Sequence, residues 1–283
     1  MQVQKSFKNE KANLYIIPTP IGNLEDMTLR SINIIKNEID VLLCEDTRVT
    51  KKLLNKYEIK IETSSYHEFN KEKVTQKYIN EMNCGKNFGL VSDAGMPGIS
   101  DPGYDLIREA KKNNINVIVL PGASAFLVAL VRSNFPNEKF TYLGFLSASK
   151  SKKKKELKSL LCRNETSVFY ESPHKIVTTL NLMCTLEPDR AIFIAREMTK
   201  LNEEYITCNV SEAVIHFENV KPKGEFVIVV EPSKTKDSKL NLTIEESVEM
   251  LIKQGVDQKE AIKIVAKERK VKKNEVYKLF IKE

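Results

Sequence analysis

The alternation of short apolar runs with helix-patterned segments constrains this chain more than any other feature. "NLYIIP", "DVLLCE", "FGLVSD" and "NVIVLPG" are aliphatic, largely β-branched runs that end in Pro, Gly or an acid. Between them lie helical patterns at 28–36, with Leu29, Ile32 and Ile35 on one face, and at 71–82 and 104–113. Strands alternating with helices imply βαβ units and a mostly parallel sheet covered on both faces. Beyond residue 140 come "TYLGF", "SVFYES", "AIFIARE" and "EFVIVVE", separated by helical stretches at 152–162, 174–184 and 211–217, which predict a second α/β domain. The 283 residues suffice for two domains of ordinary size and a small third.

In open α/β sheets ligands bind at the carboxyl ends of strands, and unusual loops stand there: "PTPIGN", "EDTR", "SDAGMPGISDPG" and "PGASA". The stretch "FGLVSDAGMPGISDPG" carries four glycines and two prolines in sixteen residues. Gly95, Gly98 and Gly103 are free to take positive φ and admit another molecule to the main chain, while Pro97 and Pro102 stiffen the loop. Asp93 and Asp101 add carboxylates to this rigid surface. Tight turns use the same residue types, but the run from Ser92 to the next helix exceeds what turns need and suits a ligand cradle. The dinucleotide pattern G-x-G-x-x-G and the P-loop pattern G-x-x-x-x-G-K-[ST] are absent. The expected ligand is therefore less anionic than NAD or ATP and is held by backbone groups across several loops.

Charge is uneven. Of a net +7, the last fifty residues contribute thirteen Lys/Arg against nine acids, and "SKSKKKKELK" adds six lysines to one glutamate. Charge runs are most often solvated helix faces, but two separate patches favour a polyanionic partner. The Ser- and Lys-rich "EPSKTKDSKLN" reads as a linker. After it, Thr243 with Glu246 and Asp257 with Glu260 form capping boxes, and Gly255 suits a helix stop. Ile244, Val248, Leu251 and Ile252 make an apolar stripe, followed by Ile262, Val265 and Ala266, and by Val276, Leu279 and Phe280 facing inward. Three such helices match a helix-turn-helix unit and a dimer-packing cap equally well. Five scattered cysteines and three scattered histidines give no disulfide framework and no metal spacing. No apolar run spans a bilayer and the first residues lack a signal core, so a cytoplasmic location is expected.

"IPTPIGNLEDMTLR", "CEDTR", "SDAGMPGISDPG", "PGASA", "FYESPHK", "REMTK" and "KGEFVIVVE", in this order and spacing, resemble the ribosomal RNA small subunit methyltransferase I family of the tetrapyrrole-methylase superfamily. The resemblance runs from about Leu14 to Glu231 and extends to the helical tail. It departs where Met96 replaces a usual Thr, Lys175 a usual Arg and Ser172 a frequent Ala. It implies two α/β domains, 1–121 and 122–232, with S-adenosylmethionine (AdoMet) in the cleft between them, and a basic helical module at 240–283. It also implies a homodimer, no metal, and 2′-O-methylation of a cytidine in the decoding centre of 16S rRNA in the small subunit. Carried over by residue, cofactor contacts fall on Pro18, Asp93, Ala94, Gly95, Ile99, Ser100, Ala123, Ser124, Ala125, Tyr170, Glu171, Gly224, Glu225 and Phe226.

Glu45, Asp46 and Glu197 are candidates for deprotonating the acceptor hydroxyl. Arg48, Lys175 and Lys200, with His67 and His174, are candidates for the RNA side. Each acid also has a basic neighbour in sequence, so a structural ion pair explains it as well as catalysis does. Two rival functions use the same features: a tetrapyrrole methyltransferase of this fold, and an RNA-binding protein without catalysis. The basic tail speaks against the first and the glycine-proline cradle against the second.

Overall fold

The computed structural model describes residues 3–6, 12–233, 243–253, 256–269 and 271–280. Strands β1 (Asn13–Ile16), β2 (Val41–Cys44), β3 (Glu62–Ser65), β4 (Phe88–Val91) and β5 (Asn116–Val119) form one sheet in the order β3-β2-β4-β1-β5, with every pair parallel. Its successive side chains alternate between two cores. Leu14, Ile16, Val41, Leu43, Phe88 and Leu90 pack under α3 (Lys71–Asn83) and α4 (Tyr104–Lys112). Tyr15, Leu42, Cys44 and Val91 pack under α1 (Leu29–Asn37) and α2 (Thr47–Lys56). A parallel sheet buried on both faces needs unbroken apolar strands, which is why "VLLC" has no polar alternation. β3, with the sequence ETSS, is mostly exposed at the sheet edge and carries no such signal.

The second sheet departs from the parallel expectation. β6 (Phe140–Phe145), β7 (Thr166–Glu171), β8 (Ala191–Arg196), β9 (Glu204–Asn209) and β10 (Phe226–Val230) run in the order β6-β7-β10-β8-β9, and only β6 and β7 pair in parallel. The reason is connection length. Residues 197–203 between β8 and β9 are too few for a crossover, so those strands return as an antiparallel pair. α6 (Lys150–Leu161), α7 (Ile176–Cys184) and α8 (Val210–Asn219) cover one face through Leu157, Leu180 and Phe217. The other face receives α5 (Ala125–Ser133), whose Ala129 and Leu130 pack on Val168, Phe193 and Val227 together with Ile21 and Met198. α5 follows the first sheet in sequence but covers the second. The cleft lies where these two sheets meet.

The tail forms helices Ile244–Lys253, Gln258–Arg269 and Lys273–Phe280 around Val248, Ala261, Ile262, Val265 and Val276. The first capping box forms: Thr243 Oγ1 accepts the Glu246 N–H at 3.2 Å, and Glu246 Oε2 accepts the Thr243 N–H at 2.6 Å. Asp257 caps the next helix through the Lys259 N–H at 3.1 Å, while Glu260 lies 3.9 Å from Lys263. Ile252 and Leu279, expected inward, are exposed, because three short helices leave only a narrow apolar seam. The linker from 234 to 242, Gly255 and the Phe280 side chain lie outside the described residues. No helix among the described residues is long and apolar enough to cross a membrane.

Candidate active site

The loops after β1 and β4 meet backbone to backbone. Thr19 N–H donates to Gly95 O at 2.9 Å, Gly95 N–H returns to Thr19 O at 3.0 Å, and Thr19 Oγ1 donates to Ser92 O at 3.0 Å. Gly95 has φ +82°, a conformation that L side chains rarely adopt, so the chain folds back here at little cost only with glycine. Ser100, at φ +64°, shares a 2.7 Å hydrogen bond with the Tyr142 hydroxyl and ties the loop to β6 across the sheet boundary. Between these elements lies a cleft of about 470 Å³.

Its first-sheet wall is acidic. Asp93 Oδ1 accepts the Asp46 N–H at 3.0 Å, and the Asp93 N–H donates to Glu45 Oε2 at 3.4 Å, which latches the loops after β2 and β4 together. Burial pushes the Glu45 and Asp93 carboxyls above their ordinary range, partly offset by the backbone N–H each receives. Asp101 goes furthest, raised to about 7 by burial and then by the negative charge of Glu45, with Asp93 and Glu225 adding and a Ser92 hydrogen bond opposing. The largest effect is loss of water around the carboxylate, so a bound proton or a nearby ligand cation would relieve it. Asp101 was visible in sequence only as one acid on the cradle. Nothing in the linear order shows that the positive-φ turns fold it back beside Glu45.

Two of the three expected bases fail on their surroundings. Asp46 caps α2, accepting the Arg48 N–H at 2.8 Å and the Arg48 guanidinium at 2.6 Å, and these hydrogen bonds hold it down at about 2. Glu197 is pushed up by burial, but the Lys200 ammonium at 2.9 Å and the Glu225 N–H at 3.3 Å outweigh that and leave it below its ordinary value. Both are held as ions and are poor proton acceptors near pH 7. Glu45 is the expected base whose surroundings suit proton uptake.

Asp93, Ala94, Gly95, Ile99, Ser100, Ser124, Ala125, Tyr170, Glu171, Glu225 and Phe226 line the cleft, as do Glu45, Glu197 and Lys200. Pro18, Ala123 and Gly224 are not among the lining residues. Gly122 abuts Pro18 so closely that a Cβ there would fall 2.6 Å from the Pro18 Cβ, and one at Gly224 would fall 2.5 Å from the Glu197 carboxyl. Glu171 reaches the cleft, yet its carboxylate is turned into the second domain. There it meets Lys153 Nζ and the Thr179 hydroxyl, at 2.7 and 2.6 Å, and the Ser172 N–H at 2.9 Å. Arg48, His67, His174 and Lys175 lie outside the lining; His174 and Lys175 are exposed just beyond Pro173, and His67 acts on the Glu45 charge. Sequence reasoning also missed Phe145, which joins a ring cluster with Tyr170 and Tyr142 at centroid separations of 5.4 Å for each successive pair.

The parallel sheet, the mixed sheet and the cleft between them define a class: residues 13–214 match the family model "Tetrapyrrole (Corrin/Porphyrin) Methylases", and the protein is a methyltransferase. The solved uroporphyrin-III-C-methyltransferase from Thermus thermophilus shares the fold, with TM-score 0.56 and 16% identity over 77% of this chain and 94% of that one. Among sequence relatives, "Ribosomal RNA small subunit methyltransferase I" of Bacillus subtilis (strain 168) is 45% identical across 97% of this chain and 96% of its own length. A Thermotoga maritima protein of the same name is 46% identical, with 77% of this chain covering 97% of it. This chain belongs to the ribosomal RNA small subunit methyltransferase I family.

Lys153 is 3% exposed and Glu171 likewise, so each ion depends on the other. Lys153→Ala should cost about 3–5 kcal/mol in urea unfolding, because it strands a buried carboxylate. The paired Lys153→Met, Glu171→Leu variant should lose much less. Equal losses in the two proteins would show that packing, not charge pairing, holds this wall.

Proposed function

We propose that the protein transfers a methyl group from AdoMet to the ribose 2′-hydroxyl of a cytidine in the decoding centre of 16S rRNA, on the small ribosomal subunit. The names borne by its relatives support the ribosomal RNA substrate and, with it, a cytoplasmic location. The observation that carries the chemical reading is the cation-seeking cleft. Glu45, Asp93 and Asp101 are all raised by burial beside small, Cβ-poor surfaces at Ala94, Gly95, Ser124 and Ala125. AdoMet is a sulfonium with an ammonium group, and these residues fit it: carboxylates for the positive charge, and backbone edges with open space for the rest. When bound, it supplies an activated methyl carbon for in-line displacement. Asp93 and the Gly95 turn would support it from the first domain, with Tyr170 and the 224–226 segment from the second.

A ribose hydroxyl is a weak nucleophile, so its proton has to leave as the new bond forms. Asp101, titrating at about 7, is the group whose surroundings suit that role, with Glu45 beside it to disfavour the protonated-to-ionised change until substrate is in place. Lys200 and Arg48 at the rim would meet phosphates. The units 1–121, 122–232 and 240–283 divide the labour: the first two build the cleft and the third recruits RNA. A second copy of the chain would cover the exposed apolar face of α5 at Val128 and Val131.

Tritiated AdoMet offered in parallel to small subunits, free 16S rRNA and precorrin should label the RNA of the subunits alone, at a cytidine 2′-oxygen. Below pH 7 the rate at limiting AdoMet (kcat/KM) should fall about tenfold per unit, since Asp101 must be ionised to accept the proton, and it should level above pH 7, while the saturated rate should break at lower pH because bound AdoMet favours the ionised carboxylate. Asp101→Asn should cost roughly 10²-fold in that rate and flatten the profile. A variant that keeps the wild-type profile would remove Asp101 as the base, and label in precorrin would overturn the RNA reading.

Ending the chain at Pro232 should leave AdoMet affinity unchanged while weakening subunit binding and its salt dependence by several phosphate contacts' worth. A truncated protein that turns monomeric by sedimentation yet binds subunits as tightly as before would assign the tail to dimer packing.

A further inference from the structure

The two most exposed large apolar side chains among the described residues are Leu201, at 100%, and Phe69, at 94%. Neither contributes to a core, and both stand next to groups of the active site. Leu201 follows Lys200, which lines the cleft from the second domain. Phe69 lies in the first domain, its ring 6.2 Å from that of His67, which stands near enough to influence the cleft-lining Glu45.

Both sit on loops held stiffly from below. In residues 197–203, Glu197 and Thr199 take φ of +49° and +64°, uncommon for residues with a Cβ. That backbone persists because it is tied on several sides. The Thr199 N–H donates to Glu203 Oε2 at 2.7 Å, Thr199 Oγ1 accepts the Asn23 N–H at 2.9 Å, and Lys200 reaches back to Glu197. Around Phe69, Asn70 Oδ1 accepts the His67 N–H at 2.8 Å, and Asn70 Nδ2 donates to Ser65 O at 3.0 Å. The bracing holds each bare hydrocarbon in a fixed place in water, where it is ready to be covered by base faces.

We propose that Phe69 and Leu201 are apolar wedges that enter stacked RNA beside the target nucleotide and hold it out of the stack, so that its ribose reaches the cleft. The inference rests on ribosomal RNA being the substrate. A recessed cleft cannot reach a ribose hydroxyl while the nucleotide stays stacked in a folded RNA, and extrusion exposes base faces that aromatic and aliphatic side chains cover. One wedge comes from each domain, Leu201 next in sequence to the cleft-lining Lys200 and Phe69 against His67, and the Lys200 ammonium suits the displaced phosphate. These are positioning residues, not catalytic ones.

The test uses full-length Phe69→Ser, Leu201→Ser and the double variant. Single-turnover methyl transfer from tritiated AdoMet is measured at saturating small subunits, alongside AdoMet titration, subunit titration and sedimentation. Each single variant should slow the saturated rate on the order of tenfold and the double variant on the order of a hundredfold, as independent sites do. Both titrations should move by less than about threefold. Phe69→Tyr and Leu201→Met should restore most of the rate. Rates within twofold of wild type would overturn the proposal. So would weaker subunit binding with an unchanged saturated rate, which would make these side chains docking contacts, or an altered sedimentation coefficient, which would place them between copies of the chain. A wild-type protein that labels no RNA would remove the substrate reading itself, and the wedges with it.

Discussion

The cleft depends on one backbone crossing. Thr19 and Gly95 exchange both of their main-chain hydrogen bonds, at 2.9 and 3.0 Å, and so fold the loop after β4 back over the loop after β1. Without that return the chain from Ser92 would leave the sheet edge directly, and Asp101 would not stand beside Glu45. The crossing also fixes the second domain, because the same loop carries Ser100 to its hydrogen bond with Tyr142 on β6. Gly95 at φ +82° makes the turn affordable; a side chain there would add strain of order 1–3 kcal/mol even though the nearest atom to a Cβ, in Ile21, is a comfortable 3.6 Å away.

What the crossing assembles is an electrostatic imbalance. Along the outer rim each acid has its cation: Asp46 has Arg48, Glu197 has Lys200, and Glu171 has Lys153 in the wall behind. At the cleft, half-buried Glu45 and Asp101 and the more exposed Asp93 crowd one another while partial burial raises all three. A site of this kind resists ionisation when empty of positive charge and welcomes a cation, and its most strongly shifted carboxyl is poised to accept a proton near neutral pH. Donor binding and proton removal are then two uses of a single arrangement.

Much of this was legible in the residues. Unbroken apolar strands and their spacing marked both α/β domains, and the glycine-proline loop marked the cradle, because each depends on local pattern. The edge strands β3 and β9 were missed, since ETSS and EYITCN sit at sheet margins where burial does not dictate composition. α2 hid behind the "EDTR" motif: Asp46 looked like a catalytic acid and serves as a helix cap. Asp101 shows the limit most clearly. Its identity was plain, but its role follows from long-range folding that sets it against Glu45 and Glu225. The resemblance to the family supplied the substrate, which no spacing of residues could.

The central claim is that the cleft is a carboxylate site short of positive charge, and proton linkage tests it most directly. AdoMet binding would be measured by calorimetry at pH 7 in buffers of different ionisation enthalpy, beside S-adenosylhomocysteine, which lacks the sulfonium charge. With Asp101 titrating at about 7 in the free protein, AdoMet should release roughly half a proton on binding, S-adenosylhomocysteine much less, and Asp101→Asn should abolish the difference. Equal proton release for the two ligands, or none for either, would contradict the account.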